Sequence, residues 1–187
     1  MSLYLTAILP PAILAEEIDE IRREISEKYK VYAALKPPVH ITLFRPLNHK
    51  ESREDHLLSI LKPISTRHRP FRQELLNFDS FNIQTLFLNA VKNPLLQNLQ
   101  KDVAAAFTKN KIDPKEVRGS TRFHPHITVA YRDIPPEIFP VLWEEFKSQR
   151  FKRSFTVDHC SLLKHNGQKW CMLKEFPLQM PEILTLF

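Results

Sequence analysis

Residues 126–129 read His126-Ile127-Thr128-Val129, and residues 40–43 spell nearly the same phrase, His40-Ile41-Thr42-Leu43. The β-branched residues favour strand in both places. Along an extended strand alternate side chains share a face, so each phrase presents an imidazole and a hydroxyl together and turns its aliphatic residues the other way. The two polar groups stand about 7 Å apart along the backbone at the ordinary strand rise. A single HxT of this kind is ordinarily a half-buried histidine beside a strand-favouring threonine. Recurrence in matching surroundings changes that reading.

The surroundings do match. Leu3-Tyr4-Leu5-Thr6-Ala7-Ile8 has strand composition, is closed by Pro10 and Pro11, and precedes a helix predicted from Ala12 to Tyr29 with Ile13, Ile18, Ile21 and Ile25 at helical spacing. Pro37 and Pro38 forbid helix before the first motif, which opens a strand from Val39 to Arg45. Leu86-Phe87-Leu88-Asn89-Ala90-Val91 repeats the opening strand type for type, Pro94 starts a second helix to about Thr108, and the second motif follows on a strand from Arg122 to Tyr131. The unit strand, helix, motif strand thus occurs twice, over about 3–46 and 86–131.

Between the copies, Ser52 and Asp55 suggest a helix cap, Leu57, Leu58 and Leu61 give a short apolar stripe that Pro63 ends, and 68–81 reads as strand. After them come a helix from about Pro136 to Ser148 and two strands, Phe151 to Lys164 and Lys169 to Phe176, around a turn with Asn166-Gly167 at its centre. The pattern is α+β: two pseudo-symmetric lobes in one domain over 1–187, each an antiparallel sheet with helices on its outer face, enclosing a central cleft.

The composition is that of a globular chain: 187 residues, 43% hydrophobic and 26% charged. A net charge of +6 is compatible with a polyanionic partner without demanding one. No apolar run approaches a membrane span and residues 1–10 lack a signal-peptide pattern, so the expectation is a cytoplasmic protein, read as a monomer with no membrane partner. Two glycines, Gly119 and Gly167, cannot build a P-loop or a dinucleotide fingerprint, and Cys160 and Cys171 lack metal or redox spacing.

If the two motif strands face each other, His40, Thr42, His126 and Thr128 line one cleft. Displacement at phosphorus needs one group to take a proton from the nucleophile and another to protonate the leaving oxygen, and imidazoles serve both roles near neutrality. The threonines can donate to non-bridging phosphate oxygens. Such a site calls for no metal and no cofactor. A competing reading takes His40, His124 and His126 as a zinc site, but no carboxylate accompanies either motif to orient the ligands.

The paired HxT motifs, the opening LYLTAILPP and the segment FHPHITVAYR resemble the two-histidine phosphoesterase superfamily, in its 2′-5′ RNA ligase and 2′,3′-cyclic phosphodiesterase branch. The resemblance implies two lobes about a pseudo-twofold cleft, acid and base roles for His40 and His126, and phosphate contacts from Thr42 and Thr128. It implies as substrate an RNA end or a small cyclic nucleotide, hydrolysed at a 2′,3′-cyclic phosphate. The same residues would serve 2′-5′ end joining, or a module that only binds such ends.

Two places depart from the family's usual wording. Tyr131 stands where many relatives carry arginine, with Arg132 one later, and Arg45-Pro46-Leu47 replaces a small residue and glycine after the first motif. Strand parity puts Arg132 on the His126 face and Phe44 on the His40 face, where a ring could stack on a base. Phe44, Arg122, His124, Tyr131 and Arg132 are therefore candidates for the substrate rim, with Lys115 and Arg118 as further phosphate contacts.

Overall fold

The computed structural model describes residues 1–112 and 123–179. Eight strands form two antiparallel four-stranded sheets. In chain order the strands are β1 (Ser2–Ile8), β2 (Ile41–His49), β3 (Phe71–Phe81), β4 (Thr85–Ala90), β5 (His126–Tyr131), β6 (Lys152–Val157), β7 (His159–His165) and β8 (Trp170–Pro177). The helices are α1 (Ala12–Tyr29), α2 (Glu54–Ser65), α3 (Pro94–Lys109) and α4 (Phe139–Phe146). The expected α+β class, with antiparallel sheets and covering helices, is the one observed.

One sheet runs β2-β1-β7-β8 and the other β5-β4-β3-β6. The two motif strands, β2 and β5, are thus both edge strands, and these edges lie against each other. Helix α1 packs against β5 and α3 against β2, so the helix of each half covers the motif strand of the other. A single apolar cluster runs through both halves, from Tyr4, Ile41 and Leu61 to Leu88, Leu99 and Ile127. Burial on that scale, at about 25 cal/mol per Å² of apolar surface, is what holds the two sheets together.

Several local expectations are corrected. The predicted strand Phe151 to Lys164 is two strands in two sheets: β6 pairs with β3 and β7 pairs with β1, the chain crossing at Asp158. The crossing is fastened where Asp158 accepts a 2.7 Å backbone hydrogen bond from Leu178. Ser52 caps nothing; it lies in a 3₁₀ turn, and α2 starts after Arg53 without a side-chain cap. Pro63 sits within α2, in its last turn, where losing one backbone donor is tolerated. In α1 the buried stripe is Leu14, Ile18, Arg22 and Ile25, while Ile13 is 89% exposed.

The type-for-type match of β1 with β4 is out of structural register. Ala7 lies opposite Thr42 but Phe87 lies opposite Thr128, so Ala7 corresponds in place to Phe87 and not to Ala90. Leu5 and Ala7 share the face of Thr42, whereas Leu88 and Ala90 belong to the main core. Leu and Ala suit either face, so residue type alone could not fix the register.

Candidate active site

Each motif strand carries a one-residue bulge directly after its threonine. In β2, Ala7 pairs with Thr42 and Thr6 with Phe44, leaving Leu43 as the extra residue. In β5, Phe87 pairs with Thr128 and Leu86 with Ala130, leaving Val129 extra. A bulge bends the strand and resets the alternation of side chains beyond it. Up to the threonine, His and Thr share one face as expected; past it the parity reverses.

That reversal relocates three rim candidates. Phe44 turns inward, 2% exposed, with its ring edge-on to Phe107 at 4.7 Å, so it is a core residue and not a base platform. Tyr131, and not Arg132, continues the face of His126 and Thr128. Arg132 has left the strand with φ 70 and holds its guanidinium 5.8 Å from the Tyr131 ring. Counted from the threonine, Arg45 stands where Tyr131 stands in the other half, although β2 carries a second irregularity between Phe44 and Leu47. Arg122, Lys115 and Arg118 lie outside the described residues.

The two histidines are held in the same way. His40 Nδ1 is 2.7 Å from the carbonyl oxygen of Pro38, and His126 Nδ1 is 2.7 Å from that of His124. A carbonyl only accepts, so each Nδ1 carries the proton and donates it. In each neutral ring the basic lone pair is therefore on Nε2. Pro38 and Pro125, each beside the carbonyl-bearing segment, stiffen the approach to both motifs.

Their electrostatic settings differ. Burial above all pushes the His40 imidazole down to about 4, and the positive charges of Arg22 and His126 add to this, against the opposing effect of the Pro38 hydrogen bond. Burial also lowers His126, with His124 adding to the effect. The contribution of His126 to the lowering of His40 places the two within electrostatic reach.

Sequence reasoning missed the setting of His126. Phe81 and Phe87 are stacked at 4.2 Å, and both rings lie 5.0 Å from the His126 ring. His124 completes the group, 5.1 Å from Phe81 and 6.4 Å from His126. His124 therefore acts on the site twice, by its carbonyl and by its ring. Among the described residues no group of three His, Cys, Asp or Glu side chains is placed to hold a metal.

Ties between the halves converge here. Asp133, just past the second motif, accepts from the backbone N–H groups of Tyr32 and Ala33 at 2.7 and 2.9 Å, ahead of the first motif. Arg22 reaches from α1 to the Thr128 carbonyl. The motif strands are thus fixed relative to one another by polar contacts as well as by the shared core.

The sequence matches a family model over residues 9–169, described as the 2′-5′ RNA ligase superfamily. The chain belongs to the 2′-5′ RNA ligase superfamily. No curated protein sequence matches it significantly. Among solved structures it is similar to TT0787 of Thermus thermophilus, with 19% identity, TM-score 0.70, and coverage of 97% of this chain and 100% of that one. It is also similar to E. coli LigT in apo form, with 20% identity, TM-score 0.67, and coverage of 96% and 98%. LigT complexed with 3′-AMP aligns with 19% identity, TM-score 0.68, and coverage of 96% and 99%. At these identities the likeness is one of fold. Among the described residues no helix is long and apolar enough to cross a membrane.

Proposed function

We propose that this member of the superfamily is a phosphodiesterase that opens 2′,3′-cyclic phosphates at RNA ends or in small nucleotides, with His40 and His126 as the proton-transfer pair of one bilobal unit. The carrying observation is the matched donation of both Nδ1–H groups to backbone carbonyls, which makes each Nε2 the atom that exchanges a proton. Nucleotide-sized ligands are supported by the LigT structures, whose complexes contain 3′-AMP, phosphate, ATP and NADP+.

We assign the roles from the unequal settings. His40, held near 4, is neutral at pH 7 and takes the proton of the attacking water. His126, less strongly depressed, brings the proton that the departing ribose oxygen receives. Thr42 and Thr128 donate to the non-bridging oxygens, where charge builds as the nucleophile adds. The ring pair Phe81 and His124 gives a nucleobase an aromatic wall beside His126. No step calls on a metal, and turnover should persist in a chelator.

The test is turnover of a panel of 2′,3′-cyclic nucleotides and a cyclic-phosphate-ended RNA, with the product phosphate located by NMR. Each histidine contributes ~10²–10⁴ in rate to such a reaction, so His40→Ala and His126→Ala should lose that much while remaining folded. Full activity in either variant would sink the assignment. The family match supports a second reading, in which a ribose hydroxyl replaces water and a 2′-5′ linkage forms. Supplying an RNA with a free 5′-hydroxyl separates the two, and recovery of every substrate unchanged would mark a binding module.

A further inference from the structure

Arg22 is the largest fully buried side chain of the described residues, 1% exposed, in the apolar stripe of α1 between Ile18 and Ile25. A guanidinium in that position is costly unless its donors are satisfied and its charge has a purpose. Its Nε and Nη2 both donate to the carbonyl oxygen of Thr128, at 3.0 and 2.7 Å. Its Nη1 donates to the Pro37 carbonyl and to Asp19 Oδ1, each at 3.3 Å.

The acceptors define its place. Thr128 lies on the free edge of β5, where outward carbonyls have no strand partner, and Pro37 precedes the first motif by three residues. One side chain therefore bonds the backbone of the second motif and the backbone leading into the first. Among the described residues the one carboxylate it contacts, Asp19, is one-third exposed and turned partly to water. Its positive charge acts on His40, as does that of His126, and Tyr131 lies within electrostatic reach of the guanidinium.

We infer that Arg22 is a positioning residue which sets the spacing of the two HxT motifs, bonding the backbone of the second and the backbone that leads into the first; the inference rests on the catalytic reading above. Thr128 is held by its own carbonyl, so its hydroxyl is aimed from the backbone. Lysine could supply the charge but not the fork that grips one carbonyl with two donors and reaches a second.

The experiment compares wild type, Arg22→Lys, Arg22→Met and Asp19→Asn. Arg22→Met should lower kcat by ~10–100-fold on a 2′,3′-cyclic nucleotide with KM changed little, as expected for misplacement of reacting groups. It should also move the acid limb of the rate profile to higher pH, because a cation beside His40 has gone. Arg22→Lys should keep that limb near its wild-type place while recovering only part of kcat. Asp19→Asn, a change at a partly exposed site, should move the limb the opposite way, to lower pH, and it reads the charge even if Arg22→Met fails to fold.

NMR titration of the His40 ring, and of inorganic phosphate binding, reads the same shifts without turnover. If wild type turned over no cyclic phosphate, the catalytic reading would fall while these titrations still judged Arg22. A His40 titration unmoved by Asp19→Asn and by whichever Arg22 variant folds would overturn the placement of the guanidinium beside the first motif. Unchanged kcat in Arg22→Lys would overturn the positioning role.

Discussion

The imidazole of His126 stands edge-on to the ring of Phe81, their centroids 5.0 Å apart and their planes at 85°. With Phe87 on the same side at 5.0 Å, the ring is screened from water, and burial is the main cause that lowers its proton affinity. The bell of kcat/KM against pH should rise on its acid side as His40 loses its proton near 4, and fall on its basic side as His126 loses its own below 6.5. The optimum should therefore lie on the acid side of neutrality. Phe81→Ala admits water to His126 and should carry the basic limb upward toward 6.5 while leaving the acid limb in place. Rate profiles of the two proteins check this; a basic limb that stays put would separate Phe81 from the titration.

The threonines can be tested apart from the histidines. A hydroxyl donating to a charged phosphate oxygen contributes roughly 1.5–3 kcal/mol, which corresponds to about 10–100-fold in rate or binding. Thr42→Val and Thr128→Val keep strand shape and remove only the donor, so each should lose about that factor. The double variant should lose close to the product if the two hydroxyls bind different oxygens. A loss confined to one variant would show that only one hydroxyl reaches the phosphate.

His40 also links acid to stability. Its folded-state value near 4 lies below the ordinary 6.5, so folding favours the neutral ring. That contribution is complete above the unfolded value and is lost as pH falls from 6.5 toward 4. At about 1.4 kcal/mol per unit it amounts to at most about 3 kcal/mol. Urea unfolding at pH 7.5 and pH 4.5 should show wild type losing more stability than His40→Asn across that interval; equal losses would argue against the depressed value.

Much of this was legible in the sequence because it depends on composition and period. The paired HxT phrases, α1, α3, the hairpin at Asn166-Gly167 and the antiparallel class each follow from local rules. The bulges at Leu43 and Val129 do not, since an aliphatic residue suits a bulge as readily as a regular strand. Missing them misplaced Phe44 and exchanged the roles of Tyr131 and Arg132. The crossing at Asp158 is hidden in the same way, because β6 and β7 together read as one long strand although they belong to different sheets. Arg22 left a trace that could have been used: an arginine in register with Leu14, Ile18 and Ile25 stands in an apolar stripe, where a charge needs a reason.

Beyond the bulges that follow the threonines stand Arg45 in one half and Tyr131 in the other. Both stand three residues past the motif threonine; Tyr131 continues the face of its motif pair, and Arg45 is exposed at a second irregularity of β2, between Phe44 and Leu47. The chain therefore offers an exposed guanidinium beside the first motif and a phenol beside the second. A substrate with a second phosphate should be drawn toward Arg45, since a guanidinium pairs with phosphate oxygens through two parallel donors. Arg45→Ala should accordingly raise KM several-fold more for a cyclic-phosphate-ended oligonucleotide than for a mononucleotide, which has no second phosphate to lose. That difference should shrink as salt is raised from about 0.01 M toward 1 M, where the screening length falls from about 30 Å to 3 Å. Tyr131→Arg in the Arg45→Ala background puts a guanidinium at the equivalent place in the opposite half and should restore part of the preference for the oligonucleotide. Equal effects of Arg45→Ala on both substrates, at any salt, would show that the residue does not read the phosphate chain.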